Sequence, residues 1–213
     1  GDYSVDGSTI EIVSPADGLL VSGQVQIQVD YDGDPERVEL SKDGASFAVM
    51  NTKTYTWYVD GEPDGPVDLT AHAIADDGEV VSAPVSLTID NTAPTLVRRV
   101  PDLGAEVDLR QPMMLEFSEP LDPDTVNPLN IRLVKRGPNL VVIQIPDQEI
   151  PINLDLSDDR TQVSIQPVAP LSGPDIFHFE VSNIRDPAQN LMDPETWSWH
   201  AEGWSEMAPT IGG

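Results

Sequence analysis

The stretch Ile89-Asp90-Asn91-Thr92-Ala93-Pro94-Thr95-Leu96 lies between two long series of β-strand patterns. Just before it, residues 85–89 alternate apolar and polar side chains, which is the period-2 pattern of a half-buried strand. Asp90 and Asn91 end that strand because their side chains compete for backbone hydrogen bonds, and Pro94 favours an extended backbone before it. The stretch therefore predicts a short, fairly straight connection between two modules. A loop inside a single domain is the alternative.

The composition restricts the classes of protein to which the chain can belong. It has 213 residues, no cysteine and a formal net charge of −26, so disulfides, thiol catalysis and cysteine-based zinc sites are excluded. This charge disfavours nucleic acid and anionic membrane surfaces as partners. No run approaches the ~20 apolar residues of a membrane span, and no signal segment opens the sequence. Gly1 and Gly212-Gly213 suggest an excised fragment. The acidity fits either solubility in an extracellular setting or calcium binding.

The first predicted module covers residues 7–90. It has about seven alternating segments with turn signals every ~8–12 residues, which is typical of an Ig-like sandwich. Residues 25–31 alternate without a break, and Asp43-Gly44 predicts a hairpin turn because such turns need positive φ. Trp57 is the expected aromatic anchor of the core. His72 lies between two alanines and is expected on the surface.

The second predicted module covers residues 94–202. Residues 150–156 alternate and are predicted as one strand. His178 alternates with two phenylalanines, so it is expected to face solvent or the opposite side of its sheet from them. The residues expected in the core of this module are Met113, Leu115, Phe117, Trp197 and Trp199.

Short motifs carry a resemblance to known families. The first module has Ile12-Val13-Ser14-Pro15-Ala16-Asp17-Gly18 at its start and Asp90-Asn91-Thr92-Ala93-Pro94 at its exit, and it resembles the bacterial Ig-like domains found in tandem on surface proteins. The second has Phe117-Ser118-Glu119-Pro120-Leu121-Asp122 and Asp186-Pro187-Ala188-Gln189-Asn190, and it is similar to the bacterial Ig-like domain 5 family first recognised in S-layer proteins. That family usually has glycine where Gln189 stands. The resemblance implies β-sandwich repeat modules of cell-surface or secreted proteins.

Catalysis has no support in the sequence. The chain has three histidines, and none lies in a metalloprotease or esterase motif. Its 37 acidic residues guarantee chance carboxylate pairs, so a glycosidase-type pair would carry little information. We therefore predict no catalytic residue and no required cofactor.

The sequence offers candidate sites for two kinds of ligand, calcium and glycan. Asp90 and Asn91 are the tentative calcium ligands at the joint between the modules, because calcium binds carboxylate and carbonyl oxygens supplied by loops. The alternative is that they form only an Asx-type turn. Tyr58 and Trp204 are candidates for exposed aromatics that stack on a glycan. Arg98-Arg99 is a basic pair just after the joint, and it either pairs with acids of the first module or faces solvent.

The sequence thus predicts an all-β chain of two tandem Ig-like β-sandwiches joined by a short linker. The predicted function is that of non-catalytic structural and adhesive spacer modules in a larger bacterial cell-surface or secreted protein. The expected partners are neighbouring domains of the same chain or other surface proteins, without nucleic acid and without direct membrane insertion. The alternative function is an accessory module that binds calcium or carbohydrate.

Overall fold

The computed structural model describes residues 9–76, 78–136, 139–140, 143–144, 146–171 and 175–201. The chain forms two compact units, which divide between Thr92 and Ala93. Each unit is built from packed β-sheets around its own apolar core, so the predicted fold class of two tandem Ig-like sandwiches is confirmed. The module limits 7–90 and 94–202 stay predictions.

The first unit contains two sheets. One sheet has three strands in the order β1-β3-β6, and the other has the order β2-β9-β7-β4-β5 with β8 beside β7. The strands are β1 (Ile10–Ser14), β2 (Leu19–Val21), β3 (Gln24–Tyr31), β4 (Arg37–Lys42), β5 (Ala45–Met50), β6 (Thr54–Tyr58), β7 (Gly65–Ala75), β8 (Gly78–Val81) and β9 (Val85–Ile89).

The core of the first unit follows directly from the alternation in the sequence. Strand β3 buries Val25, Ile27 and Val29 and exposes the residues between them, because successive side chains of a strand point to opposite faces. Trp57 is buried as predicted. The predicted hairpin at Asp43-Gly44 joins β4 to β5, and both residues have the positive φ that this turn requires.

The second unit has a four-stranded sheet in the order β10-β12-β18-β17 and a five-stranded sheet in the order β11-β20-β19-β13-β16. A hairpin of β14 and β15 stands apart from both sheets. Among the described residues, no helix has the length and apolar character needed to cross a membrane. The elements are β10 (Leu96–Val100), β11 (Glu106–Val107), β12 (Met113–Phe117), a 3-10 helix (Pro123–Thr125), β13 (Ile131–Lys135), β14 (Asn139–Leu140), β15 (Ile143–Gln144), β16 (Gln148–Ile150), β17 (Ile152–Leu156), β18 (Gln162–Pro167), β19 (Ile176–Val181) and β20 (Glu195–Ala201).

The core of the second unit contains two aromatic stacks between neighbouring strands. Phe177 stacks on Trp199 with ring centroids 4.7 Å apart, and Phe179 stacks on Trp197 at 5.2 Å. These pairs lie directly opposite each other in the β19–β20 ladder, where side chains on one face are in contact. The five core residues predicted for this module are all buried.

One expectation for the second unit is wrong, and another holds in only one of its two alternatives. Residues 150–156 do not form one strand, because Pro151 separates β16 from β17 and the two strands belong to different sheets. Proline has no N–H to donate to a ladder, so a change of sheet at this point loses no hydrogen bond. His178 lies on the opposite face of its strand from Phe177 and Phe179, which was one of the two alternatives. The other alternative, that it faces solvent, is wrong, since only 3% of the residue is exposed.

Candidate functional site

The segment Asp90–Thr92, where the chain leaves strand β9, is held firmly within the first unit. The Asp90 N–H donates to the carbonyl oxygen of Val21 at 2.9 Å. The Asn91 side-chain Nδ2 donates to the carbonyl oxygens of Val59 at 2.8 Å and Glu62 at 3.1 Å. We call this set of contacts the exit clasp, and it fixes the backbone of the segment relative to the first unit.

Asp64 supplies the second half of the exit clasp from the acidic turn before β7. Its Oδ1 accepts from the Asn91 N–H at 2.7 Å, and its Oδ2 accepts from the Thr92 hydroxyl at 2.5 Å. The Thr92 hydroxyl and then the Asn91 N–H lower the pKa of Asp64 below its ordinary value, because both stabilise the ionised carboxylate. The sequence alone does not reveal this pairing, because 27 residues separate Asp64 from Asn91.

The predicted calcium ligands are thus engaged in local structure. Asp90 Oδ1 accepts from the Thr92 N–H at 3.2 Å, which is the Asx-type turn of the alternative prediction. Asn91 uses both amide protons of its side chain on backbone carbonyls, and this leaves its Oδ1 as the atom with which it could bind a cation. Calcium binding by Asp90 and Asn91 stays a prediction.

A second polar cluster lies in the loop between β19 and β20 of the second unit. Asp186 is completely buried, and its two carboxylate oxygens accept from the Asn190 N–H at 2.8 Å and from Asn190 Nδ2 at 2.7 Å. A carboxylate oxygen of Glu119 also lies within 4.8 Å of one from Asp186. The Asp186–Asn190 pair closes the loop and gives the buried carboxylate the hydrogen bonds that burial demands.

Gln189 occupies the loop position where the resembling family usually has glycine. Its φ is +73°, in the left-handed region that favours glycine. Two hydrogen bonds hold it there, from Gln189 Nε2 to Asp122 Oδ2 at 2.9 Å and from Arg185 Nη1 to the Gln189 carbonyl oxygen at 2.6 Å. The turn therefore persists without glycine because side chains from three loop positions support it.

In both units an early strand pairs in parallel with the last strand. In the first, β2 pairs with β9, and the pair is extended by hydrogen bonds from the Gly18 N–H to Ser86 O at 2.7 Å and from the Asp90 N–H to Val21 O at 2.9 Å. In the second, β11 pairs with β20, with the Gly104 N–H donating to Ser198 O at 2.8 Å. Sequence periodicity does not reveal these pairs, because they join residues from opposite ends of each unit.

Comparison with known families follows the same division of the chain. The model described as Bacterial Ig-like domain matches residues 90–201, which is more than half of the chain. The chain belongs to the bacterial Ig-like domain family. The model described as Bacterial Ig domain matches residues 9–71, so the predicted recognition of two such domains in tandem is confirmed. A search of curated proteins found no match.

Solved structures give distant similarities to this bacterial Ig-like chain. Rst D1-D2 is 10% identical with a TM-score of 0.42, and the match covers 91% of this chain and 99% of that one. The fibronectin(III)-like modules of Clostridium thermocellum CbhA are 19% identical with a TM-score of 0.35, covering 39% and 98%. The N-terminal part of the bacterial S-layer protein SbsC is 14% identical with a TM-score of 0.39, covering 52% and 24%. Scores this low carry no argument about function.

Two residues singled out in the sequence, Arg99 and His72, have partners inside their own units. In the bacterial Ig-like domain of the second unit, Arg99 pairs with Asp102 at 2.9 Å and with Glu195 at 3.7 Å, and its guanidinium carbon lies 5.2 Å from the ring centroid of Trp197. In the first unit, His72 Nδ1 lies 2.6 Å from Glu79. These pairs account for Arg99 and His72 as parts of the surface structure.

The remaining residues singled out in the sequence are His178 and the two candidate glycan-binding aromatics, Tyr58 and Trp204. His178 lies 3.2 Å from Glu180, and none of the three histidines belongs to a group of three metal-ligating side chains within the described residues. Tyr58 is 66% exposed, as its predicted role requires. Trp204 lies outside the described residues.

Proposed function

We propose that the chain is a non-catalytic structural spacer that bears tension in a larger bacterial cell-surface or secreted protein. Its role is to hold other parts of that protein at a distance without unfolding. Extracellular or cell-surface location belongs to this proposal, as does adhesion to neighbouring domains or other surface proteins.

The parallel pairing of an early strand with the last strand supports this proposal most directly. In the β2–β9 pair, the preceding chain enters at the Leu19 end and the following chain leaves at the Ile89 end, so the two connections lie at opposite ends of the pair. Tension that reaches β2 from one side and β9 from the other slides the two strands along each other and loads their hydrogen bonds together. Bonds loaded together resist more force than bonds that open one after another. The β11–β20 pair repeats the arrangement in the second unit.

The exit clasp supports the proposal from the other side of β9. Asn91 and Thr92 are tied to Asp64, and Asn91 is also tied to Val59 and Glu62. Tension that arrives through residue 92 is therefore passed to the turn before β7 as well as to β9. A Gly/Ser-rich segment at this place would give no such transfer, because it behaves as a flexible coil.

Single-molecule force spectroscopy on the complete chain tests the proposal by changing the direction of pulling. With handles at the two chain ends, the units are told apart by length: residues 9–92 extend to about 290 Å and residues 93–201 to about 380 Å, before the folded lengths are subtracted. The second geometry pulls a Glu36→Cys and Asn51→Cys variant across the open ends of the β4–β5 hairpin, where bonds break in sequence. The absence of native cysteine makes the attachment specific.

We expect the first unit to unfold at a clearly higher force from the chain ends than across the hairpin. Both substituted residues are exposed, and circular dichroism of the double variant checks that the fold is unchanged. Equal forces in the two directions would refute the load-bearing role, because the parallel pairs would then give no directional resistance.

A further inference from the structure

The outer face of the three-stranded sheet in the first unit carries a strip of neutral polar side chains. On β3 three successive outward-facing residues are exposed glutamines, and on β6 the residues opposite them are two threonines and a tyrosine. The register places Gln24 opposite Tyr58, Gln26 opposite Thr56 and Gln28 opposite Thr54. Residues directly opposite in a ladder share one face, so these six form a continuous surface, which we call the neutral strip.

The neutral strip differs from its surroundings in charge. It ends at the Lys53–Asp30 ion pair on one side and near Asp60 on the other. The outer face of the other sheet of the first unit carries charged groups such as Glu39 and Asp68. In a chain with a formal net charge of −26, the field around these six neutral residues disfavours an anionic partner, because it repels anions. The six side chains themselves carry no charge with which to bind an ionic ligand.

The chemistry of the strip matches a polyhydroxylated ligand. Each glutamine offers an acceptor oxygen and two N–H donors, and each hydroxyl both donates and accepts. Tyr58 adds an aromatic face that is largely open to solvent, with 66% of the residue exposed. An aromatic ring with a polar end suits a ligand that presents both C–H surfaces and hydroxyl groups.

The dimensions favour an elongated chain of sugars over a protein. Alternate residues of a strand are about 6.8 Å apart and neighbouring strands about 4.8 Å apart, so the three rows form a strip about 14 Å long and narrow. A specific protein interface needs about 20–30 residues from each partner, with aromatic and apolar groups enriched in its core. Six residues with one aromatic ring are too few for that.

We infer that the neutral strip binds a neutral polysaccharide, with Tyr58 stacking on a sugar ring and the glutamines and threonines bonding to hydroxyl groups. This inference does not depend on the load-bearing role. It adds an attachment function to a spacer, because a chain that binds glycan through this strip would also be anchored to a carbohydrate matrix by its first unit.

Affinity electrophoresis of the complete chain tests the inference. The probes are gels containing hydroxyethylcellulose, galactomannan or dextran, with polygalacturonate as the anionic comparison. We expect retardation by at least one neutral polymer, unchanged by sodium chloride because no charge is neutralised. Tyr58→Ala should weaken the affinity about tenfold, and Gln26→Ala should weaken it less.

Gln162→Ala is the matched control, since Gln162 is an exposed strand glutamine of the second unit. It should leave the retardation unchanged, and circular dichroism should show that all three variants are folded. The inference is overturned by retardation in polygalacturonate alone, by no retardation in any neutral gel, or by equal retardation of wild type and Tyr58→Ala. Light scattering that shows a dimer abolished by Tyr58→Ala would also overturn it, because a second copy would then cover the strip.

Discussion

The contacts of the exit clasp lead to a prediction that distinguishes a structural role of Asn91 from a calcium-binding role. The substitution Asn91→Asp keeps the size of the side chain and replaces the Nδ2 donor with a carboxylate oxygen. That oxygen would face the carbonyl oxygens of Val59 and Glu62, which now accept hydrogen bonds at 2.8 and 3.1 Å. If Asn91 is structural, the change destabilises the first unit. If Asn91 binds calcium, an added negative charge strengthens the site.

The size of the effect follows from the two lost hydrogen bonds. Each contributes about 0.5–1.5 kcal/mol net, so Asn91→Ala should lower the free energy of unfolding of the first unit by about 1–3 kcal/mol. Asn91→Asp should cost about 1 kcal/mol more at neutral pH, since the new carboxylate lies against two carbonyl oxygens. The difference between the two variants should shrink in acid, where the introduced carboxyl group becomes protonated and can donate one hydrogen bond.

Hydrogen-exchange mass spectrometry of the complete chain in urea is the suitable assay, because it reports each unit separately. Peptides from β3 and β7 report the first unit, and peptides from β19 and β20 should not change. A first unit that is as stable as wild type in Asn91→Asp, measured with EDTA present, would refute the structural role of the side chain. If millimolar calcium stabilises wild type and Asp90→Ala abolishes that gain, the calcium prediction is confirmed. Identical unfolding in calcium and in EDTA would show it to be wrong.

Three further predictions concern the stability of single units. Asn190→Ala removes a donor from the buried carboxylate of Asp186 and should lower the stability of the second unit by about 1–3 kcal/mol; a loss below about 0.5 kcal/mol in urea titration would contradict this. Because the folded pKa of Asp64 is lowered, its contribution is present above the unfolded value of about 3.9 and is lost as pH falls through the folded value. Wild type should therefore lose more stability than Asp64→Asn between pH 5 and pH 2 in an acid titration, and parallel curves would exclude this role. Trp199→Ala should cost about 3–5 kcal/mol through the cavity beside Phe177, measured by thermal melting, and an unchanged melting temperature would argue against the stack.

Local alternation accounts for the parts of the fold that the sequence predicts well. The buried residues of β3 follow from period-2 patterning, and the Asp43-Gly44 hairpin follows from the φ angles that its turn demands. Both features depend on neighbours in the sequence. For the same reason the aromatic core positions Trp57, Trp197 and Trp199 were predictable.

The features that the sequence did not predict depend on distant residues or on a local break that its neighbours conceal. The burial of His178 does not follow from the alternation, because a period-2 pattern distinguishes two faces of a strand but not which of them is covered. Pro151 could have been recognised as a break, since proline is confined to edges and ends of strands, but its neighbours alternate well enough to conceal it. The partnership of Asp64 with Asn91 and Thr92 required knowledge of which turn lies beside the end of β9.

The parallel pairing of early and last strands also sets the order in which each unit can fold. The hydrogen bond from the Ser86 N–H to Asp17 Oδ1 joins residues 69 apart, and the bond from Trp197 Nε1 to Pro101 O joins residues 96 apart. Contacts with such long loops form slowly, because loop closure costs entropy before the contact can form. Neither unit can close until its last strand is available. A chain that emerges with its N-terminus first, as it does during synthesis, should therefore complete each sandwich only after β9 or β20 has emerged.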